Sequence, residues 1–316
     1  MPLVMVLCAF VISAPQTFPK TALKPALKEA KKLNRLILAE FWTFNTEPSR
    51  SYAERVLSDP AILRWLSRNA VGARVNVDFN KTLRERFFVK KVPCLLLLDT
   101  DLHIWARIEG PKRPEQILKV LNQALSEKKA FEQAESDLKR NPNDIEALLK
   151  RFRGFLRREE GKNAEAVLKR LRSLDPESKK VPYGRLAFEL AARVYEPRKQ
   201  VDAAIRLYSE AARWAAGRKP SLRCDSLFRA ANLKLFQKEF ETAAKLLELL
   251  LKEFKRFPDR SKAMYTLGLI YVRHLKQIER GREILEKVRD GYADRFALAA
   301  EKLLDLIDRG QVEAIR

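Results

Sequence analysis

Phe41–Pro60, FWTFNTEPSRSYAERVLSDP, begins on aromatic residues, passes through the polar turn Asn45-Thr46-Glu47 and closes on Ser58-Asp59-Pro60. Asp59 can accept backbone N–H groups and Pro60 suits a first helical position, so the spacing predicts a helix over Ala61–Asn69. Upstream, Leu36–Trp42 is short, apolar and rich in β-formers, which predicts a buried strand; the polar 3/4-spaced segment Ala22–Leu33 before it predicts a helix. Downstream the pattern gives a strand over Val71–Val77, a short helix over Lys81–Phe87, strands over Cys94–Leu98 and His103–Ile108, and a closing helix over Pro114–Ser126. The order is βαβαββα after a leading helix.

Ala30-Lys31-Lys32, the strand Leu36–Phe41, the segment after Thr46, Ser58-Asp59-Pro60, Val75-Asn76-Val77-Asp78, Val92-Pro93 with Leu95–Asp99, and Gly110 follow one another in a specific order. That ordered set resembles the thioredoxin superfamily over residues 20–127. The resemblance implies an α/β thioredoxin-like domain with a cis proline at Pro93, and it places the family's Cys-x-x-Cys on Thr46-Glu47-Pro48-Ser49. Both thiols are then hydroxyls. A helix N-terminus can lower a cysteine pKa into the neutral range, whereas Ser and Thr gain nothing comparable, so dithiol exchange is excluded at this position. No cysteine lies between Cys8 and Cys94 to restore it. The degenerate site is therefore Thr46, Ser49, Pro93 and Cys94, with no catalytic residue assigned. Cys94 is expected to be a small buried residue opening a core strand; the alternative is a lone thiol that forms mixed disulfides. Glu47 and Asp78 are the acids nearest the site. A helix start accounts for the first and a turn for the second, so neither is assigned acid–base work.

From Lys128 onward the spacing becomes helical throughout, with prolines at 142, 176, 182, 220 and 258 between segments. Lys128–Asn141 reads as a joining helix and Tyr292–Asp308 as a terminal cap. Asp202–Ala211, DAAIRLYSEA, Ala263–Tyr271, AMYTLGLIY, and Phe188, Ala191, Ala192 and Tyr195 carry small and aromatic residues at positions resembling those of tetratricopeptide repeats. Leu227, Ala230 and Ala231 pair with Ala243, Leu247 and Leu250 in another such unit, and a further one begins near Ile145. The resemblance implies an all-α helical-repeat domain over residues 128–316, with a concave face carrying Arg153, Arg157, Arg193, Phe228, Asn232, Lys262, Tyr265 and Arg273. Arginines interleaved with Asn and aromatic rings suit an extended peptide with an acidic element.

The chain of 316 residues has a formal charge of +22, with 20 basic against 12 acidic residues before position 128 and 43 against 29 after it. A basic surface of this size attracts nucleic acid or anionic membrane. The cations are interleaved with acids, as in Lys252–Arg256, and no stacking motif accompanies them, so a solvated helical face is the simpler reading. Leu3–Ala14 has the length of an export-signal core but no preceding Lys or Arg, and Pro15 makes a poor cleavage context. Residues 1–19 are read as a candidate leader, with export to the periplasm or cell envelope the implied location and the cytoplasm the alternative. Three scattered cysteines, two histidines and the absence of a glycine-rich phosphate loop give no metal or cofactor site. The leading expectation is a non-catalytic adaptor binding a protein or peptide. Alternatives are a thiol accessory acting through Cys94, and a nucleic-acid or anionic-membrane binder.

Overall fold

The computed structural model describes residues 17–19 and 21–311, so most of the candidate leader lies outside the described residues. The chain divides at Val167/Leu168 into two compact units.

The first unit is built on a four-stranded sheet in the order β2-β1-β3-β4. Strand β1 (Leu36–Trp42) runs parallel to β2 (Ala70–Asn76) and antiparallel to β3 (Cys94–Leu98), which pairs antiparallel with β4 (Ile104–Glu109). The parallel pair needs a crossover, which α2 (Glu47–Tyr52), a wide π turn (Ala53–Leu57) and α3 (Pro60–Asn69) supply. Asp59 caps α3 by accepting from the Ala61 N–H at 2.8 Å, as the sequence predicts. Helix α1 (Leu23–Leu33) packs Leu23, Ala26 and Ala30 on one sheet face with Ile37, Ala39, Phe41, Val75, Cys94 and Leu96. Phe18 is buried in this unit and its N–H donates to Ser58 Oγ at 3.0 Å, two residues ahead of the boundary drawn at position 20.

After the short α4 (Lys81–Arg86), Phe88 at φ 52° leads into the loop holding the cis Val92–Pro93 peptide. The closing and joining helices expected as two segments are one, α5 (Pro114–Arg140), because nothing between Pro114 and Asn141 breaks a helix. Its first half buries Ile117, Leu121 and Ala124; its second half buries Phe131, Ala134 and Leu138 and packs against α6 (Ile145–Arg157). Trp105 of β4 meets Phe131 edge-on at 5.6 Å, and Phe131 meets Phe155 of α6 at 5.3 Å. The first helical pair is thus packed onto the sheet. Helix α7 (Gly161–Leu174) follows.

The second unit is all helical: α8 (Tyr183–Leu190) with a π turn to Tyr195, α9 (Val201–Ala215), α10 (Pro220–Phe236), α11 (Phe240–Glu253), α12 (Arg260–Leu269) with a π turn to His274, α13 (Ile278–Gly291) and α14 (Arg295–Asp308). Successive helices pack as neighbours along the chain. Cys224, Leu227, Ala231, Ala243, Leu247, Ala263 and Leu267 form one shared core, and Val272, Leu285, Val288, Ala300 and Leu303 the next. The small residues set the approach: a Cβ at Gly281 would fall 2.9 Å from the Gly268 carbonyl oxygen across the α12–α13 contact. Each pair buries its face only against the next, which is the physics of a repeat array.

Candidate functional site

The two hydroxyl residues singled out from the sequence, Thr46 and Ser49, stand in two different settings in the first unit. Thr46 is exposed at the cap of α2, and its side chain makes no capping bond. Ser49 is fully buried, and its Oγ accepts the Thr43 N–H at 2.9 Å. Ser49 therefore locks the loop ahead of α2. On the opposite side, Pro93 is buried and its carbonyl accepts the Gly110 N–H at 2.8 Å.

Cys94 is 0% exposed, between Phe41 of β1 and Glu109 of β4. Burial pushes its thiol up to about 12, and nearby Arg107 offsets only part of that. Arg107 is itself committed to Glu159 at 2.7 Å. Such a thiol has almost no thiolate at neutral pH and no route for an attacking disulfide. Iodoacetamide at neutral pH is expected to leave Cys94 unmodified in the folded chain and to label it once denaturant is added, read by peptide mass; labelling of the native chain at the rate of a free thiol would return Cys94 to the site.

Asp78, just past the end of the neighbouring parallel strand β2, secures the loop. Its carboxylate accepts from Thr43 Oγ1 at 2.8 Å, the Phe44 N–H at 3.1 Å and Asn45 Nδ2 at 3.3 Å. Glu47, at the start of α2, pairs with exposed Arg55 at 3.5 Å. The acid inside the core is Glu40, which the sequence reading passed over. It is 0% exposed, opposite Arg74 in the β1–β2 register, and its Oε2 accepts from Arg74 Nε at 2.5 Å. Its one sequence signal is a lone charge inside the apolar run Leu36–Trp42.

Beside this loop lies a groove of about 740 Å³ lined by Phe44, Asn45, Asp78, Phe79, Arg84 and Phe88, among others. Phe44 is 50%, Phe79 78% and Phe88 40% exposed, which is unusual for large apolar side chains standing together. Trp42, Phe44 and Phe79 form an edge-to-face row with centroid spacings of 4.5 and 6.1 Å. The fixed loop thus holds an aromatic face toward solvent, with Lys81, Arg84 and Lys90 around it.

The predicted concave-face residues fall in both units. Arg153 is exposed on α6, while Arg157 is taken up by Glu127 of α5 at 2.7 Å, a partner thirty residues away that local spacing could not reveal. In the second unit Arg193 and Arg273 are exposed, and Asn232 is half-buried. Phe228 and Lys262 come together, with Lys262 Nζ 5.3 Å above the ring, and Phe257 stands 6.4 Å from Phe228. Tyr265 packs against Phe296 at 5.9 Å and is half-buried.

Residues 262–295 match the family model of the tetratricopeptide repeat. That span is α12, its π turn and α13, the helical pair closed by Gly268 against Gly281. None of the curated proteins compared matches the sequence. Among solved structures, a thioredoxin from Thermus thermophilus is 24% identical over 34% of this chain and 88% of its own, with a TM-score of 0.32. MamA is 18% identical over 62% of this chain and 97% of its own, with a TM-score of 0.37. A putative kinesin light chain with TPR-like repeats from Podospora anserina is 20% identical over 55% of this chain and 95% of its own, at 0.36.

Both histidines have partners within the fold. His274 stacks on Phe240 at 3.5 Å, and burial, then Arg273 and Lys276, hold its pKa below the usual value. His103, half-buried just ahead of β4 rather than in it, lies within 4.8 Å of Asp99 and Asp101. This is the one His/Cys/acid grouping among the described residues with metal-ligand spacing, but Asp99 already accepts from Trp105 Nε1 at 2.9 Å and from the His103 N–H at 2.9 Å, as a hairpin turn requires. Among the described residues no helix is long and apolar enough to cross a membrane.

Proposed function

We propose that the chain is a non-catalytic protein-binding scaffold, in which a thioredoxin-like unit without its thiols and a helical-repeat unit each present a surface for extended polypeptide. The carrying observation is Ser49: buried, hydrogen-bonded to the Thr43 N–H, and holding a loop that turns aromatic rings outward instead of a nucleophile. A groove of exposed aromatics lined by three cations, Lys81, Arg84 and Lys90, and two acids, Asp78 and Glu85, suits an apolar segment with a small acidic element. Arg193, Lys262 and Arg273 give the repeat unit the same charge preference. The lone buried thiol of Cys94 favours this reading over a thiol accessory. A cell-envelope location rests on the N-terminal apolar run alone.

Panning a random-peptide display library against the full chain tests the scaffold. Acidic, extended sequences are expected to be enriched, with one class losing affinity in Phe44→Ser/Phe79→Ser and another in Arg193→Glu/Arg273→Glu. All four side chains are exposed, so these variants are expected to keep the fold. A library that enriches nothing above an unrelated basic helical protein would overturn the reading.

A further inference from the structure

We propose that a second, basic pocket in the helical-repeat unit, walled by the start of α8, the end of α9 and the start of α10, docks an acidic peptide segment carrying one bulky apolar side chain. The inference rests on the protein-binding reading above but assigns a site apart from the predicted concave-face residues, none of which lines it.

The pocket has a volume of about 530 Å³. Five cations line it, Lys179, Lys180, Arg185, Arg218 and Lys219, and no carboxylate does. In a chain whose cations are elsewhere interleaved with acids, this is a local excess of one sign facing a concavity, which focuses the field. Lys179 and Arg185 have partners at the rim, exposed Glu177 at 2.7 Å and half-buried Glu189 at 2.8 Å; both cations are themselves exposed, where such pairs contribute little. Arg218 and Lys219 have no carboxylate partner among the described residues.

The cations are held in place. Asp175 accepts the N–H groups of Lys179, Lys180 and Val181 at 3.0, 2.7 and 2.6 Å, which fixes the loop that carries the two lysines. Those same bonds, Val181 first, hold the Asp175 carboxyl below its usual pKa, so the clasp is closed throughout the neutral range. On the other wall the Arg218 guanidinium lies over the Trp214 ring at 5.8 Å, with Arg172 over the same ring at 5.8 Å. Ser221 and Leu222, in the first turn of α10, bring the positive end of a 17-residue helix to the same space.

Apart from Ser178 and Ser221 the remaining lining is apolar: Val181, Pro182, Ala215 and Leu222, with Gly184 letting α8 approach α9 closely, since a Cβ there would meet Trp214 Cβ at 3.1 Å and the Ala211 carbonyl oxygen at 3.3 Å. An inorganic anion would leave these walls unmatched. A nucleobase would need a free ring to stack on, yet Trp214, the one aromatic side chain lining the pocket, is packed on Tyr183 at 5.1 Å and carries two guanidinium groups. Carboxylates spaced along a backbone, with one large apolar side chain between them, match both halves.

The test is fluorescence anisotropy of the full chain with a labelled short peptide of Asp and Glu around one central Phe. An Asn/Gln version of the peptide and a single-stranded oligothymidylate serve as comparison probes. Three variants remove equal charge: Arg218→Glu/Lys219→Glu in the pocket, Arg193→Glu/Arg273→Glu on the concave face, and Lys287→Glu/Lys302→Glu on α13 and α14. All six positions are exposed, and circular dichroism checks that each variant folds. The pocket variant is expected to bind the acidic peptide about tenfold or more weakly, with the Lys287→Glu/Lys302→Glu variant close to the parent protein, the concave-face variant weakened by clearly less than the pocket variant, and the Asn/Gln peptide unbound. Equal weakening in all three variants would reduce the effect to net charge and overturn the site. Loss confined to Arg193→Glu/Arg273→Glu would move the peptide to the concave face, removing the pocket while leaving the scaffold reading intact. Tighter binding of the oligonucleotide through Arg218 and Lys219, or no binding of the acidic peptide, would also overturn it.

Discussion

Phe131→Ala is expected to destabilise the first unit by about 3–5 kcal/mol, the range for deleting a buried aromatic ring. Phe131 is 7% exposed and sits between Trp105 of β4 and Phe155 of α6, with the Arg158 guanidinium 5.2 Å from its centroid. Removing the ring opens a cavity and breaks both edge-to-face contacts, which add to area burial. Hydrogen exchange read by mass spectrometry should show protection falling in β4, α5 and α6 together. Unchanged protection in β4 would mean that the helical pair stands on its own and does not depend on the sheet.

Gly154 sharpens the same experiment. A Cβ built on it would fall 2.0 Å from Phe131 Cδ2, so Gly154→Ala alone must push the ring out and is expected to cost about 1–3 kcal/mol. In a Phe131→Ala background the obstruction is gone, and the same substitution should gain about 0.5–1 kcal/mol from helix propensity. A reversal of sign between the two backgrounds is the signature of direct packing. Additive costs would place the strain elsewhere.

The sequence was most legible where local chemistry acts locally. Asp59 and Pro60 announced the start of α3, the apolar run Leu36–Trp42 announced a central strand, and small residues at 3/4 spacing announced paired helices in the second half. Where it misled, the deciding partner was distant or the signal was a missing breaker. A change of pattern near Lys128 suggested a new helix, but with no Pro or Gly before Asn141 the backbone continues through it. Gly154 carries no local signal of its own, because its purpose depends on Phe131, twenty-three positions earlier. Arg157 looked free because its partner Glu127 lies on another helix. The π turns at Ala53–Leu57, Ala191–Tyr195 and Ile270–His274 contain no Gly or Pro and had no local signal. The pocket at Trp214 was invisible for the same reason, since its cations come from segments separated by three helix ends and appear along the chain as ordinary surface charge.

Glu40 gives the second large effect, through pH. Burial raises its carboxyl to about 7, against which the Arg74 charge and hydrogen bond pull only partly; the Tyr52 phenol is raised as well, by its own burial first and by the Glu40 charge last. Unfolded, the same group titrates near its ordinary value of 4.5. The folded chain therefore keeps a proton that the unfolded chain has released between those two values. Its contribution to stability is fully present below 4.5 and is lost as pH rises through 7, a change of about 3 kcal/mol at about 1.4 kcal/mol per pH unit. Urea denaturation at pH 5 and pH 8 is expected to show the parent less stable at the higher pH, whereas Glu40→Gln, which mimics the protonated carboxyl and keeps an oxygen for Arg74 Nε, should lose most of that difference. Equal pH dependence in both proteins would mean that Glu40 is already ionised at pH 5, held so by Arg74. The buried pair would then be a fixed strut of the β1–β2 ladder with no response to protons.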